Sequence, residues 1–290
     1  MDSIQMRAYA KINLALDVTG RRENGYHDVR MVMQTISLFD KLTIRPIVKD
    51  ELIVANSHGF LPSGKGNLVY DAASLFLNTL GSKQGFCIEL EKHIPIAAGM
   101  AGGSADAAAA LLGLNELFHA PFSKKELHSL GLSLGADIPF CLTGGTALAE
   151  GIGEILTPLP APPACKVLIV KPPIGVSTKF VYENLRLDET TEHPDVDGML
   201  RALEAGSYRK LVSRLGNLLE SVTTLHYPEI SAIKEQMLSL GADGALMSGS
   251  GPTVFGLFQD ARKASEAYYQ FKTGQYGSQT FLTDFHCSQK

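Results

Sequence analysis

Cysteine is scarce in this chain, positive charge is not in excess, and no long apolar run occurs. Each shortage removes a class of protein. The four cysteines, Cys87, Cys141, Cys165 and Cys287, form no CxxC pair and match no zinc spacing. They read as thiols in a reducing compartment, not as a disulfide framework. The formal net charge of −4 leaves no basic stripe for a general nucleic-acid binder, although a local basic pocket for a phosphorylated ligand stays open. No stretch of about eighteen apolar residues is present, so no membrane span is expected. The opening residues Met1–Ala10 hold no apolar signal-peptide core, and a cytoplasmic location is the expectation. His58, His93, His119, His128, His193, His226 and His286 show no ligand spacing such as HExxH and receive no role.

What is present is an ordinary globular composition. With 45% apolar and 19% charged residues over 290 positions, the chain can bury a core in one large domain or two ordinary ones. Ala8–Val18 alternates. Ala8, Ala10, Ile12, Leu14, Leu16 and Val18 share one strand face, and Tyr9, Lys11, Asn13, Ala15 and Asp17 share the other. The turn dipeptide Asn24-Gly25 follows, and β-rich sequence resumes over Val29–Ile44, which predicts an antiparallel hairpin. Helices are expected over Asn67–Leu80, over Ala105–Phe118, and after the capping-box pattern Ser123–Glu126 until Gly135. Strands are expected at Phe86–Glu91 and Val167–Val170. Ala245–Phe258 reads as strand, turn, strand. Lys263–Phe271 reads as a helix and Gln279–Phe285 as a last strand. Strands and helices do not alternate regularly, which favours an α+β fold. The cluster Pro160, Pro162 and Pro163 is the best candidate linker.

Two glycine-rich segments carry the chemistry. The first is Pro95-Ile96-Ala97-Ala98-Gly99-Met100-Ala101-Gly102-Gly103-Ser104-Ala105, running into an Ala/Leu helix. A helix start offers unpaired N–H groups and partial positive charge, and glycine lets a phosphate approach that backbone. A bare packing turn is the competing reading, weakened by three glycines and a serine standing together. The dinucleotide fingerprint GxGxxG fails because Ala101 follows Gly99 where a second glycine is needed. The P-loop pattern has a near miss at Gly59–Gly66, where Gly66 replaces the required hydroxyl. That stretch reads as a surface turn. The second segment, Gly244–Thr253, reads alone as a β-turn. Beside the first, it reads as another turn facing phosphate or substrate.

Asp137, in Gly135-Ala136-Asp137-Ile138-Pro139, is either a turn or capping carboxylate or a base for a hydroxyl proton. Lys11, ordinarily a solvated lysine, could stabilise charge on the attacking oxygen. Phosphoryl transfer needs little beyond positioning, such stabilisation and a base. Tyr26, His27 and Tyr182 offer rings for stacking on a nucleobase or sugar, although each alone is more often structural.

Three segments, Ala8-Tyr9-Ala10-Lys11-Ile12-Asn13-Leu14, Pro95–Ala105 and Met247–Thr253, resemble in order and separation the motifs of the GHMP kinase family. The resemblance spans nearly the whole chain. It implies a two-domain α+β fold with the substrate cleft between an ATP-binding domain, 1–160, and a second domain, 161–290. It implies ATP and Mg2+ as cofactors, with Pro95–Ala105 around the phosphates and Lys11 and Asp137 as the catalytic pair. Asn13, Tyr26, His27, Asp137 and Tyr182 would hold the substrate. Within the family, Lys11-Ile12-Asn13-Leu14, Asn24-Gly25-Tyr26-His27 and Leu134-Gly135-Ala136-Asp137-Ile138-Pro139 resemble more narrowly the members that act on a cytidine-diphosphate-linked methylerythritol on the route to isoprenoid precursors, which implies that small molecule as the substrate. No nucleic acid or membrane partner is implied, and monomer and homodimer both stay open. The magnesium ligands are not set by the resemblance; Ser104 is one contributor it allows. Two other readings remain: a different GHMP small-molecule kinase, and a non-catalytic ligand-binding relative. A nicotinamide-dependent dehydrogenase fails on the missing fingerprint.

Overall fold

A computed structural model describes residues 3–57 and 62–287. The near-miss stretch beginning at Gly59 therefore lies partly outside the described residues. In chain order the elements are β1 (Ile4–Arg21), β2 (His27–Ile47), β3 (Leu52–Asn56), α1 (Leu68–Leu80), β4 (Gly85–Glu91), α2 (Gly102–Leu117), α3 (Lys124–Leu134), α4 (Ile138–Thr143), β5 (Thr146–Glu150) and β6 (Ile155–Pro158). Then follow β7 (Lys166–Val170), α5 (Thr178–Asn184), α6 (Val196–Glu204), α7 (Tyr208–Val212), β8 (Gly216–Asn217), α8 (Glu220–His226), α9 (Glu229–Ser239), β9 (Gly244–Met247), β10 (Val254–Phe258), α10 (Ala261–Thr273) and β11 (Thr280–Asp284).

The chain divides into two compact units that interleave along the sequence. The first takes 1–10, 39–96 and 101–143; the second takes 11–38, 97–100 and 144–290. This differs from one cut after residue 160, because the proline cluster lies inside the second unit. The long strands β1 and β2 feed both units.

In the first unit, β3 pairs parallel with β4, and β4 pairs antiparallel with β2. Helix α1 starts at Asn67, whose side chain accepts from the Val69 N–H, and stops at left-handed Gly81. Helix α2 is alanine-rich because it is buried on nearly every side, with Ala105, Ala107, Ala108, Ala109 and Ala110 all inside. Gly113 lets it approach the sheet, since a Cβ there would stand 2.6 Å from Ile44 Cδ1. Phe76, Phe86, Ile88, Leu111 and Leu114 fill the space between. The expected capping box forms at α3: Ser123 Oγ accepts from Glu126 N, and Glu126 Oε2 accepts from Ser123 N at 2.8 Å.

In the second unit, residues 31–34 of β2 pair with β5, β5 pairs with β6, and β8 runs parallel to β1 at Ala15 and Leu16. A separate antiparallel sheet has the order β11-β7-β10-β9. Val167, Ile169, Phe255 and Phe258 of this sheet are fully buried, as are Ile233 and Met237 of α9. The turn between β1 and β2 forms at Asn24-Gly25, with Gly25 left-handed at φ 85° and Arg22 N donating to Tyr26 O at 2.8 Å.

The alternation in β1 predicts a polar face open to water. The structure differs: Lys11 is 5% exposed, Asn13 0% and Asp17 8%. Both faces of this strand are covered, and its polar side chains are paired instead of solvated. His193 Nδ1 lies 2.7 Å from Asp17 Oδ1, which meets the requirement that buried polar groups find partners.

Candidate active site

The glycine-rich segment opens after β4 and ends inside the first turn of α2. Three residues in alternation, Ala97 (φ 50°), Gly99 (φ 71°) and Ala101 (φ 55°), take the left-handed conformation. Such alternation turns successive N–H groups to one side and makes a concavity suited to an anion. Ala101 is the N-cap of α2, makes no side-chain cap, and is followed by no acidic residue in the first turn. The helix starts at Gly102, earlier than expected, so Gly102, Gly103 and Ser104 lie within its first turn. Their N–H groups have no intrahelical acceptor, and the helix dipole adds positive potential there. A non-glycine residue in the left-handed region is strained, and strain of this kind gathers at ligand loops.

Within the second unit the middle of this loop is gripped from two sides. Lys11 N donates to Met100 O at 3.1 Å. Ser248 Oγ donates to Gly99 O at 2.9 Å. A Cβ on Gly99 would stand 2.2 Å from Ser248 O, so only glycine fits this approach. Segment 248–251 is thus both the turn between β9 and β10 and the support of the first loop. The three sequence segments singled out for chemistry converge here on residues 97–100. Thr178 Oγ1 lies 2.8 Å from Ser250 Oγ and ties α5, which carries Tyr182, to the same support.

Lys11 Nζ donates to Asn13 Oδ1 at 2.8 Å, and Asn13 Nδ2 reaches Met31 Sδ at 3.4 Å. The two side chains, two positions apart on β1, form one buried polar pair. The His27 and Tyr182 rings lie 5.0 Å apart and tilted by 37°, so residues far apart in sequence make one aromatic pair. Burial, with Arg21 nearby, holds the His27 imidazole below its usual pKa. Tyr26 is 59% exposed. Asp137 stands in the first unit, directly before α4, where its carbonyl accepts from Cys141 N at 3.1 Å. The backbone therefore places it as the residue opening that short helix.

Sequence reasoning missed one cluster beside the loop. Lys92, Asp40 and Asp106, all in the first unit, are joined through the Lys92 ammonium. Asp40 falls in the β-rich stretch Val29–Ile44, and Asp106 stands at the head of an alanine-rich run. The position of Lys92, three residues before Pro95 at the entry of the loop, was the available signal. Among the described residues no group of three or more His, Cys, Asp or Glu could hold a metal ion.

The family model for the N-terminal domain of GHMP kinases matches residues 67–145, and the model for their C-terminal domain matches residues 199–276. The chain belongs to the GHMP kinase family. Among its relatives in this family, a Lachnoclostridium phytofermentans protein named 4-diphosphocytidyl-2-C-methyl-D-erythritol kinase is 59% identical over 98% of both chains. A Bacillus subtilis protein of the same name is 50% identical over 90% of both. A crystal structure of 4-(cytidine 5'-diphospho)-2C-methyl-D-erythritol kinase superposes with a TM-score of 0.82 at 35% identity, covering 97% of this chain and 99% of that one. The homoserine kinase of Cytophaga hutchinsonii shares the GHMP kinase fold at 21% identity, with a TM-score of 0.76.

Proposed function

We propose that this GHMP kinase transfers the γ-phosphoryl group of ATP to the 2-hydroxyl of 4-diphosphocytidyl-2-C-methyl-D-erythritol, a step toward isoprenoid precursors, in the cytoplasm. The observation that carries phosphoryl transfer is the alternating left-handed loop that feeds an uncapped, acid-free helix start. The choice of acceptor rests on the 59% identity, end to end, to a relative bearing that substrate's name.

In this reading Pro95–Ala105 wraps the ATP phosphates, and Asn13, Tyr26, His27 and Tyr182 hold the cytidyl acceptor. Asp137 takes the proton of the 2-hydroxyl as its oxygen attacks the γ-phosphorus and the bond to the departing ADP oxygen breaks. Lys11, positioned by Asn13, stabilises the negative charge that develops on the reacting oxygens. Magnesium would enter with the nucleotide phosphates, as such ions commonly do in kinase sites. Ser104, in the first turn of α2, would contribute a hydroxyl to that ion, which neutralises phosphate charge. Among the described residues no helix is long and apolar enough to cross a membrane.

The test is an assay of the purified protein with ATP, magnesium and the cytidylated acceptor, read as ADP release and by phosphorus NMR. A new phosphomonoester on the erythritol moiety is expected. Turnover of free homoserine or mevalonate in preference to the cytidylated acceptor would overturn the substrate assignment and leave the kinase assignment standing.

A further inference from the structure

The loop Pro95–Ala105 is flanked by two charged side chains that are almost wholly buried. Lys92 precedes it and Asp106 follows it. Lys92 Nζ donates to Asp106 Oδ2 at 2.6 Å and to Asp40 Oδ2 at 2.5 Å. The side chains of Lys92, Asp40 and Asp106 are 5%, 0% and 4% exposed. Asp40 also accepts from the backbone N–H of His93 and, at 2.8 Å, from that of Ile94. Strand β2 thus holds the entry of the loop, and the ammonium holds its exit. The Lys92–Asp106 pair closes the loop into a ring. Gly102 packs on this closure: a Cβ there would stand 3.4 Å from Lys92 Nζ and 3.0 Å from Ile94 Cγ2.

Stability alone does not account for this arrangement. Desolvating charges offsets most of their attraction, and a well-packed apolar pair of similar volume is commonly as stable. Two carboxylates also share one cation. Burial pushes the Asp106 carboxyl well above the usual carboxylate range; Lys92 opposes that rise and Asp40 reinforces it. Burial also works against the Lys92 charge, but Asp106 and Asp40 together outweigh it and hold the ammonium above its usual range. Asp106 Oδ1 is buried and finds no hydrogen-bond partner among the described protein residues. An expensive, incompletely satisfied polar cluster is expected where geometry at a site matters more than folding energy.

We propose that Asp40, Lys92 and Asp106 form a clasp that sets the geometry of the phosphate-binding loop. They act as positioning residues, through the backbone of 93–94 and the first turns of α2. The proposal rests on the reading of Pro95–Ala105 as the ATP loop. Removing the clasp should leave the protein folded and widen the loop's conformations, so ATP affinity falls while acceptor recognition persists.

The experiment uses the full chain and three variants: Asp106→Asn, Lys92→Met, and the double replacement of Lys92→Met with Asp106→Leu. Magnesium-ATP affinity is read by calorimetry, KM for both substrates by steady-state kinetics, and folding by thermal melting. Asp106→Asn and the double variant should each weaken ATP binding about tenfold, with the acceptor KM changed less than about threefold, as for a misplaced binding loop. The double variant loses the Asp106 charge that Lys92→Met leaves unpaired and keeps Asp40 on the His93 and Ile94 N–H groups, so it should recover part of the Tm that single variant loses, without recovering ATP affinity. Parental ATP affinity in the double variant would overturn the clasp, as would losses of affinity that merely track Tm. If the parent chain binds ATP but does not phosphorylate the cytidylated acceptor, only the proposed substrate fails, and calorimetry still decides the clasp. If the parent binds no ATP, the loop assignment and the clasp both fall.

Discussion

At Asp137 the change of one carboxylate oxygen to an amide nitrogen separates a base from a group that only orients. Asp137→Asn keeps the shape of the side chain and removes its capacity to take a proton. We expect kcat to fall on the order of 10²–10⁴-fold, the usual weight of general base catalysis, with ATP affinity unchanged by calorimetry. Unchanged turnover would remove Asp137 from the mechanism. At Tyr182 the aromatic pair with His27 is the measurable feature. Tyr182→Ala should raise the acceptor KM roughly 2- to 10-fold, the weight of one aromatic pair, and leave the ATP KM in place. His27 adds a pH signature. Because its pKa is lowered in the folded chain, the imidazole is neutral above its ordinary value of about 6.5. Its contribution to stability is complete there and is lost as pH falls through the lowered value. The acceptor KM should be flat above about pH 6.5 and climb below it, and His27→Gln should flatten that climb. An identical profile in the variant would assign the titration to another group.

The loops and caps act as elements, and their substitutions test geometry more than chemistry. Gly99 takes φ 71° and lies under Ser248 O. Gly99→Ala must move one of the two backbones, so we expect a loss of about 1–3 kcal/mol from strain and overpacking, together with weaker ATP binding. Ser123→Ala removes one half of the capping box at α3 and should cost about 1 kcal/mol with no change in either KM. The pair separates a loop that serves the site from a helix end that serves only the fold; thermal melting and kinetics on both variants check it. At this scale much was legible. The capping box, the strand–turn–strand at 244–258 and the helix after Ser104 follow from short-range rules of sequence spacing. The burial of Lys11, Asn13 and Asp17 was not legible, because alternation reports which residues share a face and not what covers that face. The Asp40–Lys92–Asp106 cluster was hidden for the same reason: its members come from β2, from the residue after β4 and from α2, and only packing brings them together.

For the whole molecule, the interleaving of the two compact units has a direct consequence. Fragment 161–290 would lack residues 11–38 and 144–160, which belong to its own unit and supply partners for β8, together with β5 and β6. We expect fragments 1–160 and 161–290 to lack cooperative melting and strong amide protection when made separately; a cooperatively folded 161–290 would establish the proline cluster as a domain boundary. The sequence by itself determined the family, through three motifs in order, and with it the expectation of ATP chemistry and of Lys11, Asp137 and the loop as its agents. Those features are local: glycines that permit left-handed backbone, a helix start without an acidic residue, single side chains of defined reactivity. Only the tertiary structure decided that Ser248 and Lys11 grip the loop, that His27 meets Tyr182, and that Lys92 binds Asp40 and Asp106. Each joins residues distant along the chain, and such contacts are chosen by packing and burial over the whole fold, which no short stretch of sequence encodes.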